Sequence, residues 1–169
     1  MSKELAMKDD MFAMAETLIK AYEGCELKPY ADTGGVPTIG WGNTRYEDGT
    51  AVTLDDEPLV QAQADALFDY WLKNFGYKVK SYASWGEDNE LAAFISLAYN
   101  IGLEAFTSSS ALRAFRVPNK KAAGDGIEMW NKAAGRILKG LQRRRRAERL
   151  VFDGLAPAAA IKQAEEDFA

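Results

Sequence analysis

Apolar side chains at the start of the chain recur with the 3.6-residue period of an amphipathic helix. The apolar positions are Met11, Phe12, Met14, Ala15, Leu18, Ile19 and Tyr22. This pattern predicts a first helix over about residues 8–23, with Glu23 as its last residue. Gly24 is expected at the C′ position, where glycine enters the left-handed conformation at little cost.

Turn-forming residues divide the next segment into short extended stretches. Asp-Thr-Gly-Gly occupies residues 32–35, and Glu-Asp-Gly occupies residues 47–49. Sequences of this kind form the turns of β-hairpins. A hairpin or small antiparallel sheet is therefore predicted over about residues 28–53.

A long helix is predicted after the sheet, because Thr53 and the acidic residues that follow it are typical of a helix N-terminus, with Pro58 in the first turn. Its apolar positions form two stripes. They are Leu59, Ala62, Ala66 and Tyr70 in one stripe, and Val60, Ala64, Leu67, Trp71 and Phe75 in the other. A helix with two apolar stripes is largely buried. We interpret it as a connector between two lobes that ends at Gly76.

The second half of the chain is predicted to be helical. A strongly apolar helix begins at Asn89 and runs to Tyr99, and Asn100 follows either as its C-cap or as a residue of a binding cleft. The other predicted elements are helices over residues 109–115, 119–129 and 138–152, a loop over 130–135, and a short helix or frayed tail over 158–168.

Two carboxyl groups in contrasting local settings are candidates for acid–base chemistry. Glu23 lies at a predicted helix C-terminus beside the apolar face, and both the helix dipole and the apolar surroundings disfavour its ionisation. Asp32 opens a turn, where water and hydrogen bonds favour the ionised form. Such a pair is typical of general acid–base catalysis. Taken singly, each residue also fits an ordinary structural role, as does Thr38 at the start of the returning strand.

The composition removes several classes of function. The chain has 169 residues, no histidine and one cysteine, Cys25, so His-dependent nucleophilic triads and an intramolecular disulfide are excluded. Zinc sites that require imidazole are also excluded, and no metal or cofactor is expected. The net charge of −4 does not suggest nucleic-acid binding. No signal peptide or membrane-spanning segment is visible, so the product is expected to begin in the cytoplasm.

The spacing of Glu23, Asp32 and Thr38 resembles the Glu-Asp-Thr triad of the phage-type lysozymes, glycoside hydrolase family 24. The residues around the triad are also similar, as Glu-Gly, Pro-Tyr-x-Asp and Gly-x-x-Thr-Ile-Gly-x-Gly. Residues 96–102 resemble the central Ala-x-Asn-x-Gly helix of that family, and residues 140–148 its Gly-Leu-x-x-Arg-Arg-x-x-Glu helix. The sequence departs from many relatives at Asn43, where they carry histidine.

The resemblance implies an α+β, lysozyme-like fold. A lysozyme-like domain over residues 1–154 would contain a small β-rich lobe at about 24–53 and a larger helical lobe at about 76–154 plus the N-terminal helix. The long helix would join the lobes, and the active site would lie in the cleft between them. Residues 155–169 would form a C-terminal tail or short extra helix.

The resemblance also implies a muramidase that cleaves the β-1,4 bond between N-acetylmuramic acid and N-acetylglucosamine. Glu23 would protonate the glycosidic oxygen, while Asp32 and Thr38 would hold the attacking water, which corresponds to an inverting reaction. The protein would be a monomeric phage or prophage endolysin that acts on peptidoglycan. A separate holin-type membrane pore would release it from the cytoplasm of the infected bacterium to the periplasm and cell wall.

Three other functions remain open from the residues: a virion-associated lysozyme, a lytic transglycosylase that needs no water-positioning base, and a non-catalytic cell-wall-binding module. The complete set of Glu23, Asp32 and Thr38 argues against the last of these.

Several further residues are candidates for supporting roles. Arg144 and Arg145 precede Glu148 by four and three residues, so they can pair with it on one helix face. We hypothesise that one of these arginines orients Glu23, against the alternatives of a solvated basic face or a contact with acidic polymers or an anionic membrane. The candidate substrate contacts are Tyr30, Trp41 and Asn100.

Overall fold

The structure is a computed structural model that describes residues 11–169. The predicted start of the first helix at residue 8 lies outside the described residues. The chain divides into two units. We call Lys20–Asn74 the hairpin unit, and residues 11–19 together with Phe75–Ala169 the helical unit.

The described chain is mostly helical, with two small sheets. The helices are α1 Met11–Tyr22, α2 Gln61–Tyr82, α3 Asp88–Ile101, α4 Leu103–Thr107, α5 Ser110–Arg116, α6 Lys120–Glu128, α7 Lys139–Phe152 and α8 Pro157–Asp167. The strands are β1 Glu26–Ala31, β2 Pro37–Gly40, β3 Lys132–Ala133 and β4 Arg136–Ile137.

Strands β1 and β2 form the antiparallel hairpin that the turn residues predict. Tyr30 pairs with Thr38 across the hairpin. The second predicted turn is also present, since the Tyr46 N–H donates to the Thr50 carbonyl at 3.0 Å. The core of the hairpin unit contains Ile39, Val52 and Leu67, with Tyr46, Leu59 and Trp71 packed against them. Burying each of the three aliphatic side chains contributes about 1.5–3 kcal/mol.

Helix α1 ends one residue earlier than predicted. Its last residue is Tyr22, and Glu23 lies in the bend that leads to β1. Gly24 does not adopt a positive φ, so the predicted left-handed helix end at this glycine is wrong. The consequence is that the Glu23 backbone belongs to the bend before the hairpin instead of to the helix.

The predicted start and end of the long helix are both wrong. It begins at Gln61, where the Val60 N–H donates to Gln63 Oε1 at 2.9 Å. Residues 53–56 form a turn instead, because the Asp56 carboxylate accepts hydrogen bonds from the Thr53 N–H at 2.8 Å and the Thr53 hydroxyl at 2.7 Å. Helix α2 continues through Gly76, which is buried in the helix. A methyl group on Gly76 would overlap the Phe12 ring, so this glycine permits close packing and does not end the helix.

The two-stripe description of α2 is only partly correct, since Val60 precedes the helix and is exposed, and Trp71 and Phe75 are partly buried. Ala64 and Leu67 are buried, as predicted, and Phe68 and Leu72 are buried beside them. Three members of the other stripe, Ala62, Ala66 and Tyr70, are exposed. Short side chains such as alanine are compatible with either setting, so their spacing alone does not identify a buried face.

The core of the helical unit surrounds α3, whose residues 90–98 are all buried. Four aromatic rings pack together there, with Phe94 in contact with Phe106, Phe115 and Phe152 at centroid distances of 5.1–5.4 Å. Such ring pairs contribute about 0.5–1.5 kcal/mol each beyond the area that they bury.

Capping residues define several helix ends in this unit, and some of these residues are recognisable in the sequence. Ser109 and Asn119 accept N-cap hydrogen bonds, so the two short predicted helices begin one residue later than expected. Gly102, with φ 92°, is the C-cap of α3, and Asn100 lies inside the helix. The prediction that Asn100 is the C-cap is therefore wrong. Helix α4 was not predicted, and its five residues follow Gly102 directly.

The predicted loop over residues 130–135 contains one strand of a small hairpin. Strands β3 and β4 pair with Lys132 opposite Ile137 and Ala133 opposite Arg136. Ala134 and Gly135 have φ values of 50° and 77°, the left-handed conformation that tight two-residue hairpin turns require. At the end of the chain, the alternative of a short helix is the correct one, since α8 covers Pro157–Asp167.

Two helical glycines provide a test of the packing between α5 and α6. A Cβ atom on Gly126 would lie 2.7 Å from the Ala111 nitrogen, so Gly126→Ala should force the two backbones apart. We expect a loss of about 1–3 kcal/mol in the free energy of unfolding, as for an overpacked core. Gly140→Ala is the control, because a Cβ atom there meets nothing within 4 Å. It should be neutral or stabilising by up to about 1 kcal/mol. Equal effects in urea denaturation would contradict this description.

Candidate active site

Asp32 lies at the first position of the turn between β1 and β2, and its side chain organises that turn. Asp32 Oδ1 accepts hydrogen bonds from the Gly34 and Val36 N–H groups, each at 2.8 Å. The backbone closes the same turn, since the Asp32 N–H donates to the Val36 carbonyl at 3.0 Å. Oδ2 accepts no hydrogen bond from residues 11–169, and Asp32 is exposed. The carboxylate is thus held by one oxygen and presents the other to solvent.

Thr38 is buried on β2 and is attached to the same turn. Its hydroxyl donates to the Val36 carbonyl at 2.9 Å. A threonine hydroxyl has one proton to donate and two lone pairs. Because its proton is used by Val36, Thr38 Oγ1 can only accept a hydrogen bond from a further group. Val36 therefore contacts Asp32 through its N–H and Thr38 through its carbonyl, and because both are backbone groups the side chain at position 36 gives no sequence signal for this role.

Glu23 is half-buried and lies against the main chain of Gly42. A Cβ atom built on Gly42 would lie 2.6 Å from Glu23 Oε2 and 3.0 Å from its Cδ. The carboxyl group therefore occupies the space that a side chain at position 42 would take. Gly42 follows β2 by two residues, so the same hairpin that carries Thr38 also presents Gly42 to Glu23.

Tyr30 lies within electrostatic range of both candidate carboxylates. The pKa of the Tyr30 hydroxyl is raised, mostly by burial and to a lesser extent by the negative charges of Glu23, Glu26 and Asp32. Tyr30 also pairs directly with Thr38 across the hairpin. Its predicted role in substrate binding stays a prediction. Tyr30 nevertheless lies opposite Thr38 and within range of the charges of Glu23 and Asp32, all in the hairpin unit.

Trp41 is held by several contacts within the hairpin unit. Its indole N–H donates to Asp65 at 2.9 Å, the Lys20 ammonium lies 4.8 Å from the ring centroid, and Phe68 packs edge-on at 6.2 Å. The pKa of Asp65 is lowered, and the hydrogen bond from Trp41 makes the largest contribution. These contacts give Trp41 a packing role in this unit, and its predicted contact with sugar stays a prediction.

Asn43, the position at which many phage-type lysozymes carry histidine, is also part of the hairpin unit. Its side chain is buried, and its backbone exchanges two hydrogen bonds with Ile39, at 2.8 and 2.9 Å. These bonds form the tight turn at the end of β2 that contains Gly42.

The predicted pairing of Arg144 and Arg145 with Glu148 is present in the helical unit. Arg145 makes two contacts with the carboxylate, from Nε to Oε2 at 2.8 Å and from Nη2 to Oε1 at 2.9 Å. Arg144 Nε lies 3.3 Å from Oε1. The exposed fractions of Arg144, Arg145 and Glu148 are 3%, 1% and 0%, so the interpretation of a solvated face is wrong at these positions.

Residues outside α7 complete this buried charge cluster. The Ser96 hydroxyl donates to Glu148 Oε1 at 2.7 Å. Arg145 Nη1 donates to the Asn100 side-chain carbonyl at 3.0 Å and lies 3.5 Å from the Trp130 carbonyl oxygen. Asn100 itself is exposed, and its role in substrate binding stays a prediction. The orientation of Glu23 by one of these arginines also stays a prediction.

The remaining arginines of α7 pair with acids of other helices and of the α7 C-terminus. Arg143 lies 3.4 Å from Glu165, and Arg146 lies 3.2 Å from Glu128 and 3.3 Å from Asp167. The partners of Arg149 are Asp125 at 2.7 Å, Asp153 at 2.9 Å and Glu128 at 3.4 Å. The basic run is therefore largely neutralised by α6 and α8, which disfavours the predicted alternative of a surface for acidic polymers or membranes.

The protein has an α+β fold, and its hairpin unit contains the carboxyl groups of Glu23 and Asp32 and the hydroxyl of Thr38. A sequence model of the family described as phage lysozyme matches residues 20–148. The endolysin of Salmonella phage P22 is 34% identical over 148 residues, which cover 80% of this chain and 92% of that relative.

Solved structures agree with the sequence comparison. The endolysin from Escherichia coli O157:H7 phage FAHEc1 is similar with a TM-score of 0.72 and 30% identity, over 82% of this chain and 90% of that one. The muramidase domain of SpmX from Asticaccaulis excentricus has a TM-score of 0.65 and 29% identity, over 83% of this chain and 94% of that one.

The chain belongs to the phage lysozyme family. It is a glycoside hydrolase that degrades peptidoglycan and acts as an endolysin, as the sequence analysis predicts. The predicted α+β, lysozyme-like fold is confirmed. None of the helices in residues 11–169 combines the length and apolar character needed to cross a membrane.

Single alanine substitutions on α7 test the energetic difference between the buried and the outer arginines. Arg145→Ala leaves Glu148 buried with half of its charge partners removed, so the expected loss is about 3–5 kcal/mol in the free energy of unfolding. Arg143→Ala removes a partly exposed pair and should cost about 0–1 kcal/mol. Thermal and urea denaturation measure both variants. Two small and equal effects would show that the cluster does not stabilise the helical unit.

Proposed function

We propose that the chain hydrolyses the β-1,4 bond between N-acetylmuramic acid and N-acetylglucosamine by a single displacement that inverts the anomeric carbon. Glu23 is the general acid, and Asp32 is the general base. Thr38 holds the attacking water together with Asp32. The observation that carries this proposal is the hydrogen bond from the Thr38 hydroxyl to the Val36 carbonyl, because it fixes what Thr38 can still do.

The hydrogen-bonding capacities of Asp32 and Thr38 suit one water molecule. Asp32 Oδ1 is occupied by two N–H groups, while Oδ2 and the Thr38 oxygen can accept. A water that donates one proton to each of these oxygens has its lone pairs directed away from both. Those lone pairs are the nucleophile that a single displacement requires. A threonine that donated its proton to the water would instead weaken that nucleophile.

The chemical step moves one proton at each carboxyl group. Glu23 transfers its proton to the glycosidic oxygen as the bond from that oxygen to the anomeric carbon breaks. The water oxygen forms the new bond to the carbon from the opposite face and loses a proton to Asp32. Exchange with solvent returns both carboxyl groups to their starting states. Acid–base assistance of this type contributes typically about 10²–10⁴-fold in rate for each positioned group.

The same arrangement favours hydrolysis over the transglycosylase alternative. A lytic transglycosylase closes an anhydro ring within the sugar and needs no base that holds water. Here Asp32 and Thr38 are both ordered by one residue, Val36, which supports a role in positioning water.

The biological setting completes the proposal. We infer that the protein acts as a monomer on peptidoglycan, needs no metal or cofactor, and waits in the cytoplasm of the infected bacterium until a holin-type pore opens. This part of the proposal rests on the endolysin relatives.

Digestion of purified peptidoglycan tests the role of Glu23. Wild-type protein should release muropeptides with reducing N-acetylmuramic acid ends, as read by mass spectrometry. Glu23→Gln should release none while it keeps the fold, because the amide cannot donate the proton at the required step. Glu26→Gln is the matched control on the neighbouring strand and should retain activity. Anhydro ends from the wild type, or substantial activity in Glu23→Gln, would contradict the proposal.

Two substitutions at Thr38 test the role of its hydroxyl. Thr38→Val keeps the shape and removes the acceptor, so kcat should fall about 10–100-fold, the equivalent of roughly 1–3 kcal/mol for a lost hydrogen bond, with little change in KM. The Val36 carbonyl still accepts from the Asp32 N–H, so the turn should persist. Thr38→Ser keeps the hydroxyl and should retain most of kcat. Equal losses in both variants would assign Thr38 a packing role only.

A further inference from the structure

Gly42 lies beside the Glu23 carboxyl group. Its φ of 78° lies in the left-handed region that favours glycine, and its missing side chain leaves the space in which Glu23 Oε2 lies. A Cβ atom at position 42 would be 2.6 Å from Oε2 and 3.0 Å from Cδ, inside the 3.4 Å at which ordinary contacts begin. Two separate constraints therefore act on this residue.

Other glycines of the hairpin unit separate these two constraints. Gly49 has a φ of 86°, yet a Cβ atom there would meet nothing within 4 Å. Gly40 has a φ of 65°, and its nearest contact would be an ordinary 3.5 Å to the Asn43 side chain. At position 49, only the left-handed backbone conformation favours glycine. At position 42, the Glu23 carboxyl group also leaves no space for a side chain.

We propose that Gly42 is a positioning residue for the general acid. Because position 42 carries no side chain, the Glu23 carboxyl group lies directly against the main chain beyond β2, in the hairpin that also holds Asp32 and Thr38. This inference rests on the proposed function of Glu23. It adds to that function a residue, Gly42, that sets the position of the Glu23 carboxyl group.

The size of the effect follows from the distances. Moving Oε2 from 2.6 Å to the 3.4 Å of an ordinary contact displaces it by about 0.8 Å. A misplacement of about 1 Å in a catalytic group can cost about 10²-fold in rate.

The test uses asparagine, which tolerates the left-handed conformation better than other side chains but has a Cβ atom. Gly42→Asn should lower kcat about 10²-fold and leave KM nearly unchanged. Gly49→Asn is the matched control and should retain wild-type kcat, since it has the same backbone requirement and no contact with Glu23. Equal kcat values for the two variants, with Glu23→Gln inactive in the same assay, would overturn the proposal for Gly42 alone. An active Glu23→Gln would instead overturn the proposed acid.

A stability measurement keeps the proposal testable even if Gly42→Asn folds poorly. In the Glu23→Ala background the carboxyl group is gone, so the stability cost of Gly42→Asn should fall to that of Gly49→Asn. Such a coupling between the two positions is what a double-mutant cycle measures. A cost that is the same with Glu23 and with Ala at position 23 would show that Gly42 does not act through the acid, and would overturn the proposal.

Discussion

The backbone of Val36 is the constraint on which the hairpin unit and its chemistry depend. Its N–H fixes one oxygen of Asp32, and its carbonyl accepts from both the Asp32 N–H and the Thr38 hydroxyl. One residue thereby determines the direction of a carboxylate and the direction of a hydroxyl proton. Since these are backbone groups, the arrangement requires a turn of this geometry and no particular side chain at position 36.

The helical unit depends on a different interaction, a carboxylate that is fully buried with two arginines. Removing such charges from water costs several kcal/mol for each ion, which is offset only when the hydrogen bonds are nearly complete. Glu148 Oε1 accepts hydrogen bonds from Arg144, Arg145 and the Ser96 hydroxyl, and Oε2 lies 2.8 Å from Arg145 Nε. Arg145 also contacts Asn100, so the same cluster fixes the C-terminal turn of α3. The outer arginines of α7 attach α6 and α8 by more exposed pairs.

Local chemistry explains which parts of the structure were predictable. The turn at Asp32 was predicted because its hydrogen bonds join residues only two and four positions apart. Arg144 and Arg145 were assigned to Glu148 because spacings of four and three place side chains together on a helix. The β1–β2 hairpin was predicted for the same reason, from the composition of its turns.

Some errors have local causes, and others arise where contacts join distant parts of the sequence. The residues predicted to open α2 form a turn instead, in which the Asp56 carboxylate binds Thr53 and also accepts from the Tyr46 hydroxyl at 2.7 Å. Gly76 resembles a helix end, but its role is to admit the Phe12 ring, and only the folded structure brings these two residues together. The role of Gly42 is invisible in sequence for the same reason, since it depends on Glu23, nineteen positions earlier.

The anomeric form of the first product tests the central claim most directly, that Asp32 and Thr38 hold water and that Asp32 does not attack the sugar. A single displacement at a β-linked sugar releases the α-anomer, which proton NMR detects before mutarotation. Inverting enzymes separate their carboxyl groups by about 6.5–9.5 Å to admit the water, against about 5–5.5 Å in retaining enzymes. The account predicts the α-anomer as the initial product. Release of the β-anomer, or a trapped glycosyl ester on Asp32, would contradict it.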